Sequence, residues 1–305
     1  MKPRRTIFDS ASEKELFVAI RGSWEPTFRV YPHIPFENLI EVGPQQLTVE
    51  EIAFLHKTTV DYVLTMADGQ PLLGVEFDGL GHGYSKDGLY TQTVPSRDTS
   101  RVWKLSLKAR VANAAAFPFL ILSYDEKVVL EEDTNLTVAH AIIGQFLANW
   151  HTSDRVHELY EEAKEWLDAF PEDEQAEQIQ DLVAGAEVET SLTWNPVARR
   201  AAELSGELRD LDPKVSSGYA YIEDPPRPAN TQPWEPTFDM DAFGRWWRSI
   251  RRLGVKYTIT TSRGAITREV WVRNFGDSFS PFGFLEEVAQ LVTTRAALQF
   301  LQTPP

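Results

Sequence analysis

Residues 60–82 read VDYVLTMADGQPLLGVEFDGLGH, and this stretch decides the fold. Val60, Tyr62, Leu64 and Met66 alternate with Asp61, Val63 and Thr65, the period of a β-strand over Val60–Met66. The Ala67-Asp68-Gly69-Gln70 segment that follows carries an Asp-Gly pair, a hairpin signal. Leu72–Phe77 is then the returning strand, and Gly79, Gly81 and Gly83 open a loop running to about Ser96.

Upstream, Ser10 or Ser12 can cap a helix with Leu16, Phe17 and Ile20 on its apolar side, ending at Gly22. Phe28–Phe36 has strand character but contains Pro32 and Pro35, which confine it to an edge or a break. Downstream, Val102, Leu105, Ala109 and Ala112 form a helical stripe between Arg97 and Ala116. Phe117–Tyr124 (FPFLILSY) is a nearly continuous apolar run, as expected of a strand covered on both faces. The expected order αβββαβ makes residues 1–126 an α/β domain with a mixed central sheet flanked by helices.

Beyond it, 127–211 is expected to be a helical, acidic region, with helices over 137–170 (Pro171 marking a break), 154–183 and 197–210. Residues 212–236, with six prolines, are expected to form an extended linker. A small α+β domain over 237–305 would combine a helix at 239–252, strands at 255–261 and 266–272, and a helix at 282–300.

The chain has 305 residues, no cysteine and a net charge of −15. The absence of cysteine excludes disulfide frameworks, cysteine nucleophiles and thiolate-bound zinc or iron–sulfur centres. The overall charge argues against a surface uniformly coated by nucleic acid. That charge is zoned: residues 154–190 sum to −11, whereas 97–110 sum to +4 and 241–273 to +6. Trp246 and Trp247 are expected in a small core, and arginines such as Arg252, Arg263, Arg268 and Arg273 as possible phosphate contacts. No apolar run approaches a membrane span, and no apolar stretch follows the basic start, so a cytoplasmic location is the expectation.

The chemistry concentrates in 60–108. Strand geometry puts Glu76 and Asp78 on one face, and the hairpin lets Asp61 approach Glu76. Three clustered carboxylates repel one another and are balanced by a hard divalent cation, Mg²⁺ or Mn²⁺. His82 lies at the lip of the glycine-rich loop. Arg101, Lys104 and Lys108 share one helix face at i, i+3 and i+7. Carboxylates that hold a metal, faced by a basic stripe, suit phosphodiester hydrolysis.

With SASEKELFVAI before it and KARVANAAAFPFLIL after it, the 60–82 run resembles the PD-(D/E)XK nuclease superfamily. Within that superfamily it is most similar to uncharacterised relatives of the very-short-patch-repair endonuclease. The likeness covers about residues 8–126. It implies a restriction-endonuclease-like core, with Glu13 as the acid of the first helix (Glu15 being the neighbouring candidate). Asp61, Glu76 and the Phe77 carbonyl become the metal ligands, and Asp78 and His82 complete the third-strand motif. The position two residues after the glutamate, usually lysine, is Asp78 here. Some members supply that lysine from the following helix, which offers Lys104 or Lys108. The resemblance therefore implies a Mg²⁺- or Mn²⁺-dependent endonuclease acting on DNA in defence or repair, with His82 and Arg101 on phosphate. The alternative is an inactive nuclease-like binding or assembly module. Residues 127–305 are the expected contact for a homodimer or a partner protein.

Overall fold

The computed structural model describes residues 6–8, 10–41, 47–79, 99–228, 239–250, 252–273 and 282–303. His82, Arg97 and most of the glycine-rich loop lie outside the described residues. The chain divides into two compact units: 1–128 with 247–249 and 273–279, and 129–246 with 250–272 and 280–305.

The first unit is α/β. Helix α1 (Ala11–Trp24) starts at Ser10, whose side chain accepts the Glu13 N–H. It runs two residues past Gly22, because Trp24 is buried on the same apolar side as Leu16, Phe17 and Ile20. Burial of that side outweighs the helix-weakening tendency of one glycine, about 1 kcal/mol. Strand β1 (Arg29–Pro35) is followed by α2 (Val49–Leu55), which opens with a Thr48–Glu51 capping box. Strands β2 (Thr59–Thr65) and β3 (Pro71–Phe77) form the expected hairpin. At its turn Gly69 has φ +93°, and the Asp68 carboxylate accepts the Gln70 N–H at 3.0 Å. Helix α3 (Thr99–Ala114) then leads to β4 (Phe119–Leu122).

The sheet order is β1-β2-β3-β4, antiparallel for the first three strands and parallel between β3 and β4. The two prolines of β1 therefore sit on an edge strand, as expected. Val60, Tyr62 and Leu64 are fully buried, and so is Val63 on the opposite face. The alternation in β2 thus marks a sheet covered on both sides, not a half-exposed one. Phe17 of α1 lies beside Tyr62 (ring centroids 6.0 Å apart), while Leu105 and Ala112 of α3 cluster with Val63, Phe119 and Ile121. Beyond β4, Arg273 pairs with buried Glu126 at 2.7 Å and donates to the Ile121 carbonyl at 2.7 Å.

The second unit opens with a short hairpin, β5 (Val129–Glu131) and β6 (Leu136–Thr137), which leads into the long helix α4 (Val138–Leu167). Helix α5 (Glu172–Trp194) packs along α4, and Arg155 bridges Glu158 and Glu189 at 3.0 Å each. The acidic segment is thus a solvated helix pair. Helix α6 (Pro196–Leu211) is capped by Asn195. Residues expected to be linker instead form β7 (Ser216–Asp224), antiparallel to β8 (Arg252–Thr261), with β9 (Gly264–Arg273) on the other side. The prolines at 225, 226 and 228 begin only after the last β7 pair, so they leave its hydrogen-bonding N–H groups intact. Helix α7 (Met240–Ser249) carries Trp246, buried as expected. Helix α8 (Phe282–Gln302) packs on α4, α6 and β8. Most of the small C-terminal region, expected as a separate domain, thereby joins the helical region in one unit, while 247–249 and 273–279 belong to the first.

Several bases proposed as phosphate contacts serve the fold. Arg252 pairs with Asp224 at 3.0 Å, and Arg263 donates to the carbonyls of Phe300, Leu301 and Thr303 at the end of α8. No described helix is long and apolar enough to cross a membrane.

Candidate active site

The β2–β3 register places Tyr62 across from Val75 and Val63 across from Gly74, so Asp61 falls across from Glu76 on one face of the sheet. At this end of the hairpin the Asp61 carboxylate accepts the Phe77 backbone N–H at 2.8 Å. Lys108 approaches from α3: its Nζ lies 2.6 Å from Glu76 Oε1 and 2.6 Å from the Thr59 carbonyl. Lys108 and Glu76 are both buried. The close approach of β3 to β4 is set by Gly74, where a Cβ would fall 2.9 Å from the Phe119 ring.

A cavity of about 540 Å³ opens here, lined by Glu13, Asp61, Glu76, Arg101, Lys104 and Lys108 among others. Burial raises the Asp61 carboxyl above its ordinary value, against the Phe77 N–H that favours its charge. Burial likewise pushes Glu76 up to about 8, with Lys108 pulling it down and the Asp61 charge adding to the rise. The Tyr62 hydroxyl is raised by burial and by the charges of Asp61, Glu13 and Glu76; it donates to the Glu13 carbonyl at 2.7 Å and braces α1 against β2.

Of the two lysines left open by sequence, Lys108 reaches Glu76, while Lys104 is exposed at the cavity wall. Of the two neighbouring glutamates, Glu13 enters the site, while Glu15 pairs with Lys127 at 2.9 Å. Asp78 is fully buried, and its carboxylate pairs with Arg101 at 2.7 Å. Arg101, expected on phosphate, is thus engaged by a carboxylate of the motif itself. His82 lies outside the described residues.

Sequence reasoning missed His33. Pro32 faces Tyr62 and Ile34 faces Val60, so His33 stands across from Asp61 at the edge of the sheet. Its Nε2 lies 3.3 Å from Glu13 Oε1. One ligand atom from each of Glu13, His33 and Asp61 lies within 4.8 Å of the others, so this group could hold a metal ion. The available signal was a lone histidine between two prolines on an edge strand, legible only once the register against Asp61 is known.

Compared with known proteins, the chain matches no family model, no curated protein and no solved structure.

Proposed function

We propose that the first unit is a metal-dependent nuclease domain that hydrolyses phosphodiester bonds of DNA, with Mg²⁺ or Mn²⁺ as cofactor. The observation that carries this reading is the Lys108–Glu76 contact beside Asp61. A helix-borne lysine meets a strand-borne glutamate at the carboxylate end of an antiparallel hairpin, inside an open cavity. The order αβββαβ, interrupted only by the short α2 and a 3₁₀ turn, and the parallel β3–β4 pair support a restriction-endonuclease-like core.

Asp61, Glu76 and the Phe77 carbonyl would hold the ion, with Glu13 close by on α1. When bound, it supplies Lewis acidity and a water made acidic enough to ionise near neutral pH. Lys108 orients Glu76 and places positive charge where the attacking oxygen develops its own charge. Lys104, exposed at the cavity rim, is positioned to receive a phosphate oxygen. Arg101 compensates Asp78, so the residue at the usual lysine position does not add an unbalanced charge to the site.

The test is cleavage of supercoiled plasmid. Wild-type protein is expected to nick DNA with Mg²⁺ or Mn²⁺ and not with EDTA, and Asp61→Asn and Lys108→Met are expected to abolish nicking. Wild-type protein that binds duplex DNA in EDTA but leaves it intact with either metal would establish the binding-module alternative instead.

A further inference from the structure

The Pro32-His33-Ile34-Pro35 edge brings to the acidic site a residue that the nuclease reading does not use. His33 has φ +54°, in the left-handed region. Non-glycine residues are uncommon there, so its surroundings enforce the geometry. That backbone turn sits on the β1 position across from Asp61, and it carries an imidazole whose Nε2 is buried and faces Glu13. The result is a donor set of two carboxylates and one imidazole drawn from three separate elements, α1, β1 and β2.

The nitrogen decides which ions this set suits. Mg²⁺ takes oxygen ligands and keeps most of its waters. First-row transition dications accept imidazole together with carboxylate, so a mixed N,O set favours them. We propose that Glu13, His33 and Asp61 bind one first-row transition dication, and that His33 is the residue that makes the site prefer it over Mg²⁺. This deepens the proposed function: it shares Asp61 with that metal site and adds a nitrogen ligand and an ion class. It does not depend on DNA being cut.

The competing arrangement is a plain His33–Glu13 ion pair, which would leave His33 outside any metal site. Calorimetry on the untagged full chain with MnCl₂ and with MgCl₂ separates the two. Mn²⁺ is expected to bind at least about tenfold more tightly than Mg²⁺. His33→Ala should weaken Mn²⁺ binding by at least about tenfold and Mg²⁺ binding by less than about threefold. Because position 33 is strained, a second readout is needed. Electron spin-echo modulation of the Mn²⁺-loaded wild type should show an imidazole ¹⁴N coupling, and His33→Gln, checked for native circular dichroism, should remove it. A wild type without the coupling, or a His33→Ala that binds Mn²⁺ like wild type, overturns the inference even if the protein cuts DNA. A His33-dependent coupling in a protein that never cuts DNA sustains it and refutes the nuclease reading alone.

Discussion

Lys108 and Glu76 form a buried pair, with Lys108 Nζ 2.6 Å from Glu76 Oε1 and anchored from behind by the Thr59 carbonyl at the same distance. The cation facing Glu76 therefore enters from α3, while the strand position two residues on is occupied by an acid. This relationship fixes α3 against the β2–β3 hairpin and makes the site's charge balance depend on one lysine.

Lys108→Met keeps the apolar stem and removes the charge. Breaking a buried pair by deleting one partner costs roughly 3–5 kcal/mol, most of it from the charge left behind. That charge can be discharged by protonation, so the loss should approach about 3 kcal/mol above pH 8 and shrink toward pH 6. Urea unfolding of Lys108→Met against wild type at the two pH values measures this. Adding Glu76→Gln to Lys108→Met should recover much of the loss; a double variant as unstable as the single one would locate the cost elsewhere.

Glu76 also gives the wild type a pH dependence. Its carboxyl is pushed up to about 8 in the folded chain, from 4.5 as the ordinary value. Between these values the folded state holds more protons than the unfolded state, so stability falls as pH rises. The contribution is complete below about pH 4.5 and lost by about pH 8, with a slope approaching 1.4 kcal/mol per pH unit, roughly, for one proton. Asp61 is raised by burial too and adds in the same sense. Glu76→Gln should flatten the urea-unfolding profile between pH 5 and 8; an unchanged profile would show that Glu76 is ionised throughout that window.

Much of this arrangement was legible in the sequence because it rests on local periodicity. The strand period of 60–66, the Asp-Gly turn and the two-residue spacing of Glu76 and Asp78 place three carboxylates at one end of a hairpin. The i, i+3, i+7 spacing likewise puts Arg101, Lys104 and Lys108 on one helix face. What periodicity cannot supply is how one element is set against another. Whether Lys104 or Lys108 meets Glu76 depends on the axial position of α3, which is fixed by Leu105, Ala112 and Phe119 in the core. His33 depends on pairing across a strand gap of more than twenty residues, and β7 depends on an edge offered by β8, far along the chain. Those are non-local choices with no local signature.

Asp61→Asn separates charge from structure. Its amide oxygen can still accept the Phe77 N–H that the carboxylate accepts at 2.8 Å, so the hairpin end should persist. Removing a desolvated charge beside Glu76 also relieves repulsion. Thermal unfolding of the metal-free variant should match wild type within about 1 kcal/mol or exceed it, since only the charge is lost. The stabilisation that wild type gains from saturating Mn²⁺ should disappear, because an ion stabilises only the state that binds it. A variant that unfolds far below wild type would assign Asp61 a structural role.

In the second unit, Gly144 of α4 touches the cap of α6. A Cβ there would fall 2.7 Å from Asn195 Cα and 2.8 Å from its Oδ1, the atom that accepts the Val197 and Ala198 N–H groups. Alanine would gain about 1 kcal/mol of helix propensity, but overpacking costs about 1–3 and a damaged cap about 1 more. Gly144→Ala should therefore destabilise the chain by about 2 kcal/mol. Gly185→Ala, on α5 with nothing within 4 Å of the added carbon, should stabilise it by up to about 1 kcal/mol. Thermal unfolding of the pair checks the opposite signs, and equal signs would mean that the Asn195 turn yields freely.

Arg101 and Asp78 test whether the acid at the lysine position is catalytic or compensatory. The Asp78 carboxylate is fully buried, and Arg101 meets it at 2.7 Å from a half-buried position on α3. Arg101→Ala removes the cation that meets this buried carboxylate, so it should both destabilise the fold, by about 2 kcal/mol, and slow nicking. If Asp78 serves only to hold Arg101, Asp78→Asn combined with Arg101→Ala should recover most of the stability, because the unbalanced charge is gone. It should also recover most of the nicking rate, because Asp61, Glu76 and Lys108 are untouched. Recovery of stability without recovery of rate would instead place Arg101 on the substrate phosphate during turnover, and urea unfolding run beside plasmid nicking on the same three proteins distinguishes the outcomes.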